Sequence, residues 1–251
     1  MRLLFVVGVE GSGHSMLKSL MQYVVAQPHF LNKGEWREMM VRYWNPRYRY
    51  KSEFSFLRRN NRDKIKRRWR KLVEQYSKDG VTHLVEDVSF PYNQPRSAIR
   101  RPDIIDFVDL LNGEVDVRVL VLYRNPVSAT YSSLRRGFTK NVYEQARIVE
   151  DNLIYIDRHL SLLGSDRFRV LPFERFLATP LQYMQGLADW METEVEFLQK
   201  GMVNLQSPHS LDDVPDRTRR ILEDFFTPDR IKLWSALASD TRTIAKNKNS
   251  L

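Results

Sequence analysis

No cysteine occurs among the 251 residues. That excludes a disulfide framework and any cysteine-ligated zinc or iron–sulfur site, and it fits a reducing compartment. Histidine is scarce as well. His14, His29, His83, His159 and His209 show neither HExxH nor H-x-x-x-H spacing, so the expectation is no metal site. A G-x-S-x-G stretch is missing, which leaves no case for a serine hydrolase. Long apolar runs are absent too, since none approaches the roughly 20 residues that a membrane-spanning helix needs. The opening LLFVVGV is short and runs straight into glycines where a cleavage site would lie, so it reads as a strand rather than a signal peptide. The expectation is a soluble, cytoplasmic protein without a transmembrane segment.

What the chain does have is 42% hydrophobic residues and 12% aromatics, enough for one substantial core, so residues 1–251 read as a single domain. A formal charge of +9 favours an anionic partner. Part of that charge is concentrated in Arg58–Lys71 (RRNNRDKIKRRWRK), with nine basic residues and one acidic. This stretch lies within a basic insertion at about 45–78 and reads either as a solvated helix face or as a surface steering an anionic acceptor. Ile65 and Trp69 imply that one side of it packs down. It contains no recognisable reading helix or RNA module, so nucleic acid is not an expected partner. The polar tail at about 241–251 is expected to be disordered. Oligomeric state is not legible.

Arg2–Val9 is a nearly continuous apolar run, as expected of a strand buried on both faces of a parallel sheet. Leu17, Leu20, Met21 and Val24 then fall at helical spacing until Pro28. VTHLV (Val81–Val85), VRVLVLY (Val117–Tyr123) and the weaker FRVLPF (Phe168–Phe173) repeat the strand pattern. Helical stretches separate them, notably Val142–Leu163 with a stripe of Val149, Leu153, Ile156 and Leu160. The alternation predicts an α/β fold, a three-layer sandwich with a central, mostly parallel β-sheet flanked by helices.

Between the first strand and helix stands GVEGSGHS, Gly8–Ser15, with the G-x-x-x-x-G spacing of a phosphate-binding loop. Glycines permit the turn and close backbone approach to an anion, while Ser12, His14 and Ser15 add side-chain donors. His14 occupies the place of the lysine that clamps the far phosphates of ATP. Histidine is shorter and a poor substitute for that clamp, which counts against an NTPase. A second stretch, RNPVSATYSSLRRGF from Arg124, puts an arginine at the carboxyl end of a buried strand, where open α/β sheets bind ligands. Asn125 and Pro126 suit a helix start, and Ser128 and Ser132 share one face of that helix.

The pair GVEGSGHSML and YRNPVSATYSSLRRGF resembles the two nucleotide-binding signatures of the P-loop sulfotransferase superfamily. QPHF (Gln27–Phe30) resembles the segment after the first helix in its Golgi and tyrosylprotein branches, and RVLPFERFLATP (Arg169–Pro180) resembles the family's late strand-plus-acidic-turn segment. The resemblance spans about residues 2–190. It implies a P-loop NTPase-like fold and transfer of a sulfuryl group from 3′-phosphoadenosine 5′-phosphosulfate (PAPS) to a hydroxyl or amine of a small-molecule or carbohydrate acceptor. No metal is required. Gly11, Ser12, Gly13, His14, Ser15 and Met16 would hold the 5′-phosphosulfate, and Arg124 with Ser132, eight residues on, the 3′-phosphate. The resemblance places the acceptor's base at Glu35 in NKGEW, with Glu38 or Glu86 as competitors. Two expected cations are missing: Gly11 stands at one position and Asp87 at the other. His14 is the leading candidate to support the leaving group, ahead of Lys18 and Lys33. A P-loop kinase, or a chain that binds PAPS or its bisphosphate product without transfer, stays open.

Overall fold

The computed structural model describes residues 1–21, 28–31, 55–90, 103–195 and 213–239, and the side chains of 55–61 are outside that description. Among the described residues, five strands form one sheet: β1 (Arg2–Val9), β2 (His29–Phe30), β3 (His83–Phe90), β4 (Asp116–Tyr123) and β5 (Phe168–Pro172). Their order is β2-β3-β1-β4-β5, and every neighbouring pair is parallel. Parallel pairing requires crossovers, and helices provide them. These are α1 (His14–Leu20), α2 (Ser55–Lys78), α3 (Ile104–Leu111), α4 (Pro126–Arg135) and α5 (Val142–Leu160), while α6 (Phe173–Ala178), α7 (Pro180–Met191), α8 (Asp216–Phe225) and α9 (Pro228–Ser235) follow the last strand.

The period-two alternation of strand side chains sorts the apolar runs into two layers. Leu3, Phe5, Val7 and Val9 of β1 join Ile65 and Trp69 of α2, Phe107 of α3, Leu153 and Ile156 of α5, Leu222 of α8 and Trp234 of α9. Leu4 and Val6 face the other way, onto Leu17 and Leu20 of α1, Phe176 of α6 and Met184 and Leu187 of α7. Because both faces of β1 and β4 are covered, these strands read as unbroken apolar sequence. One side of the basic stretch packs down, as Ile65 and Trp69 imply: α2 buries both completely or nearly so, with the Trp69 ring edge-on to Phe107 at 6.1 Å.

Several boundaries differ from the sequence reading. The strand expected to end at Val85 continues to Phe90. Its mix of Glu86, Asp87 and Ser89 hid that continuation, because those polar residues interrupt the apolar run. Glu86 is therefore in the middle of β3, paired with Phe5 in register, and not at a strand end facing the site. Helix α5 stops at Leu160 rather than Leu163, with Ser161 as its cap. The two-residue strand β2, at the sheet edge, carries no periodic signal of its own.

Candidate functional site

The glycine loop leaves β1 at the carboxyl edge of the sheet, with the Glu10 N–H donating to Phe90 O (2.9 Å) and the Ser12 N–H to Val9 O (3.1 Å). Gly11 and Gly13 have φ of +89° and +101°, a region that L side chains rarely adopt. Their surroundings also exclude a side chain. A Cβ on Gly11 would lie 2.6 Å from Ala129 O in α4, and one on Gly13 would lie 2.6 Å from the Phe173 ring. Gly13 is the N-cap of α1 and supplies no side-chain cap. The Ser12 hydroxyl, 1% exposed, has no hydrogen-bond partner among the described residues. Buried hydroxyls normally find one, so a cradle of bare α-carbons with an unsatisfied hydroxyl fits an anion.

The second stretch closes on the first. Asn125 caps α4 by accepting from the Val127 N–H (2.9 Å), with Pro126 at the first helical position, as the sequence predicts. Arg124, immediately after β4, donates from Nη1 to Gly11 O (3.0 Å). Its guanidinium sits over the Phe173 ring, 4.4 Å from the centroid, and the residue is 3% exposed. Burial pulls the Arg124 pKa down and the Glu174 charge opposes it, but an arginine stays charged regardless. Ser132 packs under the loop, its Cβ 3.1 Å from where a Gly11 side chain would start. Ser133 Oγ donates to Glu10 O (3.0 Å), and Arg136 donates to the Glu10 carboxylate (2.9 Å). Thus Gly11, Ser12, Gly13, Arg124 and Ser132, read from two segments about a hundred residues apart, meet at one place.

Sequence pattern alone does not single out Phe173 and Glu174 beside the loop, although both lie in the segment RVLPFERFLATP. Phe173 wedges between Gly13 and Arg124, while Glu174 Oε1 accepts from the Asn125 N–H (3.0 Å). The signal available was an aromatic–acid pair directly after a strand, at the edge where the other groups converge.

His14, the first residue of α1, turns back toward the sheet. Its Nδ1 is hydrogen-bonded to the Asp87 carboxylate, and its Nε2 is buried beside Gly8 with no partner among the described residues. Ser15 is exposed and Met16 partly buried behind the loop. Lys18 extends over the ring of Phe30, 5.3 Å from its centroid. Glu86 points to the opposite layer, where burial, and secondarily the Asp87 charge, push its pKa up to about 10. A carboxyl so raised, in mid-strand and far from the loop's face, is not placed to serve the site. Glu35, Glu38 and Lys33 lie outside the described residues. Among the described residues, no group of three or more His, Cys, Asp or Glu could hold a metal ion, and no helix is long and apolar enough to cross a membrane.

No family profile matches the sequence, and no curated protein sequence does. Solved structures do. The sulfotransferase from Alicyclobacillus acidocaldarius superposes with a TM-score of 0.56 at 15% identity, over 96% of this chain and 97% of that one. The sulfotransferase domain from the curacin biosynthetic pathway gives 0.52 at 13% identity, covering 89% and 97%. The sulfotransferase domain of the Synechococcus PCC 7002 olefin synthase gives 0.51 at 14% identity, covering 96% and 95%. At these identities the likeness concerns architecture, and it spans almost the whole of each chain. The parallel sheet, its flanking helices and these three likenesses establish that the chain has the sulfotransferase fold.

Proposed function

We propose that the protein is a sulfotransferase that takes its sulfuryl group from PAPS and passes it to a hydroxyl or amine acceptor. The observation that carries this reading is the convergence of Arg124 and Ser132 on Gly11, which joins the two anion-binding segments at the carboxyl edge of β1 and β4. The residues present fit the donor. Gly11 and Gly13 leave room for close backbone approach, and Ser12 Oγ is buried without a partner among the described residues. In this reading the loop from Gly11 to Met16 holds the 5′ end, and Arg124 and Ser132 hold the 3′-phosphate. When bound, the donor supplies an activated sulfuryl group on a phosphate leaving group.

Transfer breaks the bond between sulfur and the bridging phosphate oxygen, forms one from sulfur to the acceptor, and releases the acceptor's proton. The protein's tasks are alignment, removal of that proton, and support for charge on the departing oxygen. Glu35 is assigned the proton and His14 the departing oxygen. Glu35→Gln should lower turnover by on the order of 10²-fold, the usual contribution of a positioned base. Fold similarity to sulfotransferases supports sulfuryl transfer as the reaction class, and the chain's own charge of +9 suits an anionic co-substrate.

The test is calorimetric titration with adenosine 3′,5′-bisphosphate, AMP and ATP, each with and without magnesium. The bisphosphate should bind far more tightly than AMP and need no metal. Ser132→Ala should weaken that preference, and Arg124→Ala should weaken it more, because its guanidinium also holds the Gly11 carbonyl. A preference for ATP with magnesium would overturn the proposal in favour of a kinase. Tight bisphosphate binding with no transfer to any acceptor tried would point to a binding protein.

A further inference from the structure

The contact between His14 and Asp87 is built from two elements. His14 opens α1 directly after the glycine loop, and Asp87 comes from β3, beside Val6 in register and so on the face that α1 covers. Its neighbour Glu86 pairs with Phe5 and faces the other layer, so the alternation of β3 sends one carboxylate toward the loop and one away from it. A carboxylate beside an anion cradle works against the cradle's ligand by simple Coulomb repulsion. Asp87 is not left alone: Nδ1 of the imidazole is bonded to it, and the ring's other nitrogen is buried beside Gly8 without a partner among the described residues. Gly8 accommodates the ring by having no side chain, since a Cβ there would stand 3.1 Å from Nε2 and 2.8 Å from Leu122 O.

We propose that Asp87 is a positioning residue for His14, and that the two act as one hydrogen-bonded unit presenting Nε2 to the anionic end of the donor. This rests on the donor reading above. Asp87 accepts only through its oxygens, so the nitrogen facing it carries the hydrogen and the ring orientation is fixed. When an anion occupies the loop, the imidazolium is the form in which every polar atom is satisfied, with Nδ1–H donating to Asp87 and Nε2–H to the anion. A histidine so held offers the anion a single donor in one fixed direction, and Asp87 touches the reaction only through it.

The experiment is a double-mutant cycle read by two probes, calorimetric affinity for adenosine 3′,5′-bisphosphate and the ring-nitrogen shifts of His14 in ¹⁵N-labelled protein. In the wild type Nδ1 should be protonated with and without the bisphosphate, and Nε2 should become protonated in the complex. Asp87→Ala should release the ring into mixed tautomers and lower affinity about tenfold. Asp87→Asn, whose amide oxygen can still accept, should retain most of the affinity and the Nδ1–H. The deciding sign comes in the second background. After His14→Ala the Asp87 carboxylate is uncompensated, so His14→Ala with Asp87→Ala should bind the bisphosphate several-fold more tightly than His14→Ala alone. If Asp87→Ala weakens binding equally in both backgrounds, or if Nδ1 lacks its hydrogen in the wild type, the proposal is overturned. Should the wild type bind no bisphosphate, the donor reading falls, and the nitrogen shifts then decide the pairing by themselves. A protonated Nδ1 that Asp87→Ala releases would support it, and a bare Nδ1 would overturn it.

Discussion

Single residues of the same type have quite different weight here, and the glycines illustrate it. Gly11 and Gly80 both have positive φ, +89° and +78°, yet a Cβ on Gly11 would meet the α4 backbone at 2.6 Å and one on Gly80 would meet nothing within 4 Å. Gly80→Ala should therefore lose only conformational strain, about 1 kcal/mol. Gly11→Ala adds overpacking against a carbonyl that cannot rotate away, for a total of about 2–4 kcal/mol. Urea midpoints with unchanged m-values would check the ordering, and equal losses would disprove it. Glu86 gives a second residue-level prediction. Its folded pKa is raised to about 10 from the ordinary 4.5, so the folded chain keeps a proton that the unfolded chain has released. The stability tied to that proton is present in full below 4.5 and is lost as pH rises toward about 10. Glu86→Gln, which never ionises, should gain on the wild type by about 1 kcal/mol per pH unit between about pH 6 and pH 8. Parallel stability curves for the two proteins would show that the carboxyl is solvated instead.

At the scale of elements, helix α2 shows how a strongly basic sequence still carries core. Trp69 is fully buried against Phe107, while Lys71 two positions on is exposed. Trp69→Ala should cost about 3–5 kcal/mol, the range for deleting a large buried aromatic. Lys71→Ala should stay within about 0.5 kcal/mol, as surface changes usually do. Thermal and urea unfolding of the two variants would separate a packed crossover helix from a solvated arm. The same contrast explains what was legible in the sequence. β1 and β4 announce themselves because both faces are apolar, and α4 because Asn125 and Pro126 mark its start. β3 was half legible, since Glu86, Asp87 and Ser89 break the run that periodicity relies on. The loop and Arg124 were found by spacing. What spacing could not supply was the direction of side chains across the fold: that Phe173 lies between Gly13 and Arg124, and that Asp87 reaches His14 seventy-three positions away.

For the molecule as a whole, the strand order matters more than any single contact. β1 lies at the centre of the sheet between β3 and β4, so the glycine loop stands where three strands end, with Asp87 on one flank and Arg124 on the other. Near the loop Glu10 is paired with Arg136 and Asp87 is hydrogen-bonded to His14, so in the proposed reading the long-range attraction for an anion would come from the chain's formal surplus of nine positive charges. Both features should show in one measurement. Binding to the native state alone raises stability by about 2.7 kcal/mol at a hundredfold excess over Kd. In a chain of 251 residues that corresponds to a melting shift of about 5–10 °C. Adenosine 3′,5′-bisphosphate should give that shift in the presence of a chelator, and AMP at the same concentration a much smaller one. Between 0.1 M and 1 M salt the screening length falls from about 10 Å to about 3 Å, so the shift should shrink markedly at fixed ligand. A shift equal for AMP, or one that appears only with magnesium, would mean that Arg124 and Ser132 hold the loop together without reading a 3′-phosphate. A shift indifferent to salt would instead assign recognition to the buried contacts alone and remove the chain's net charge from the account.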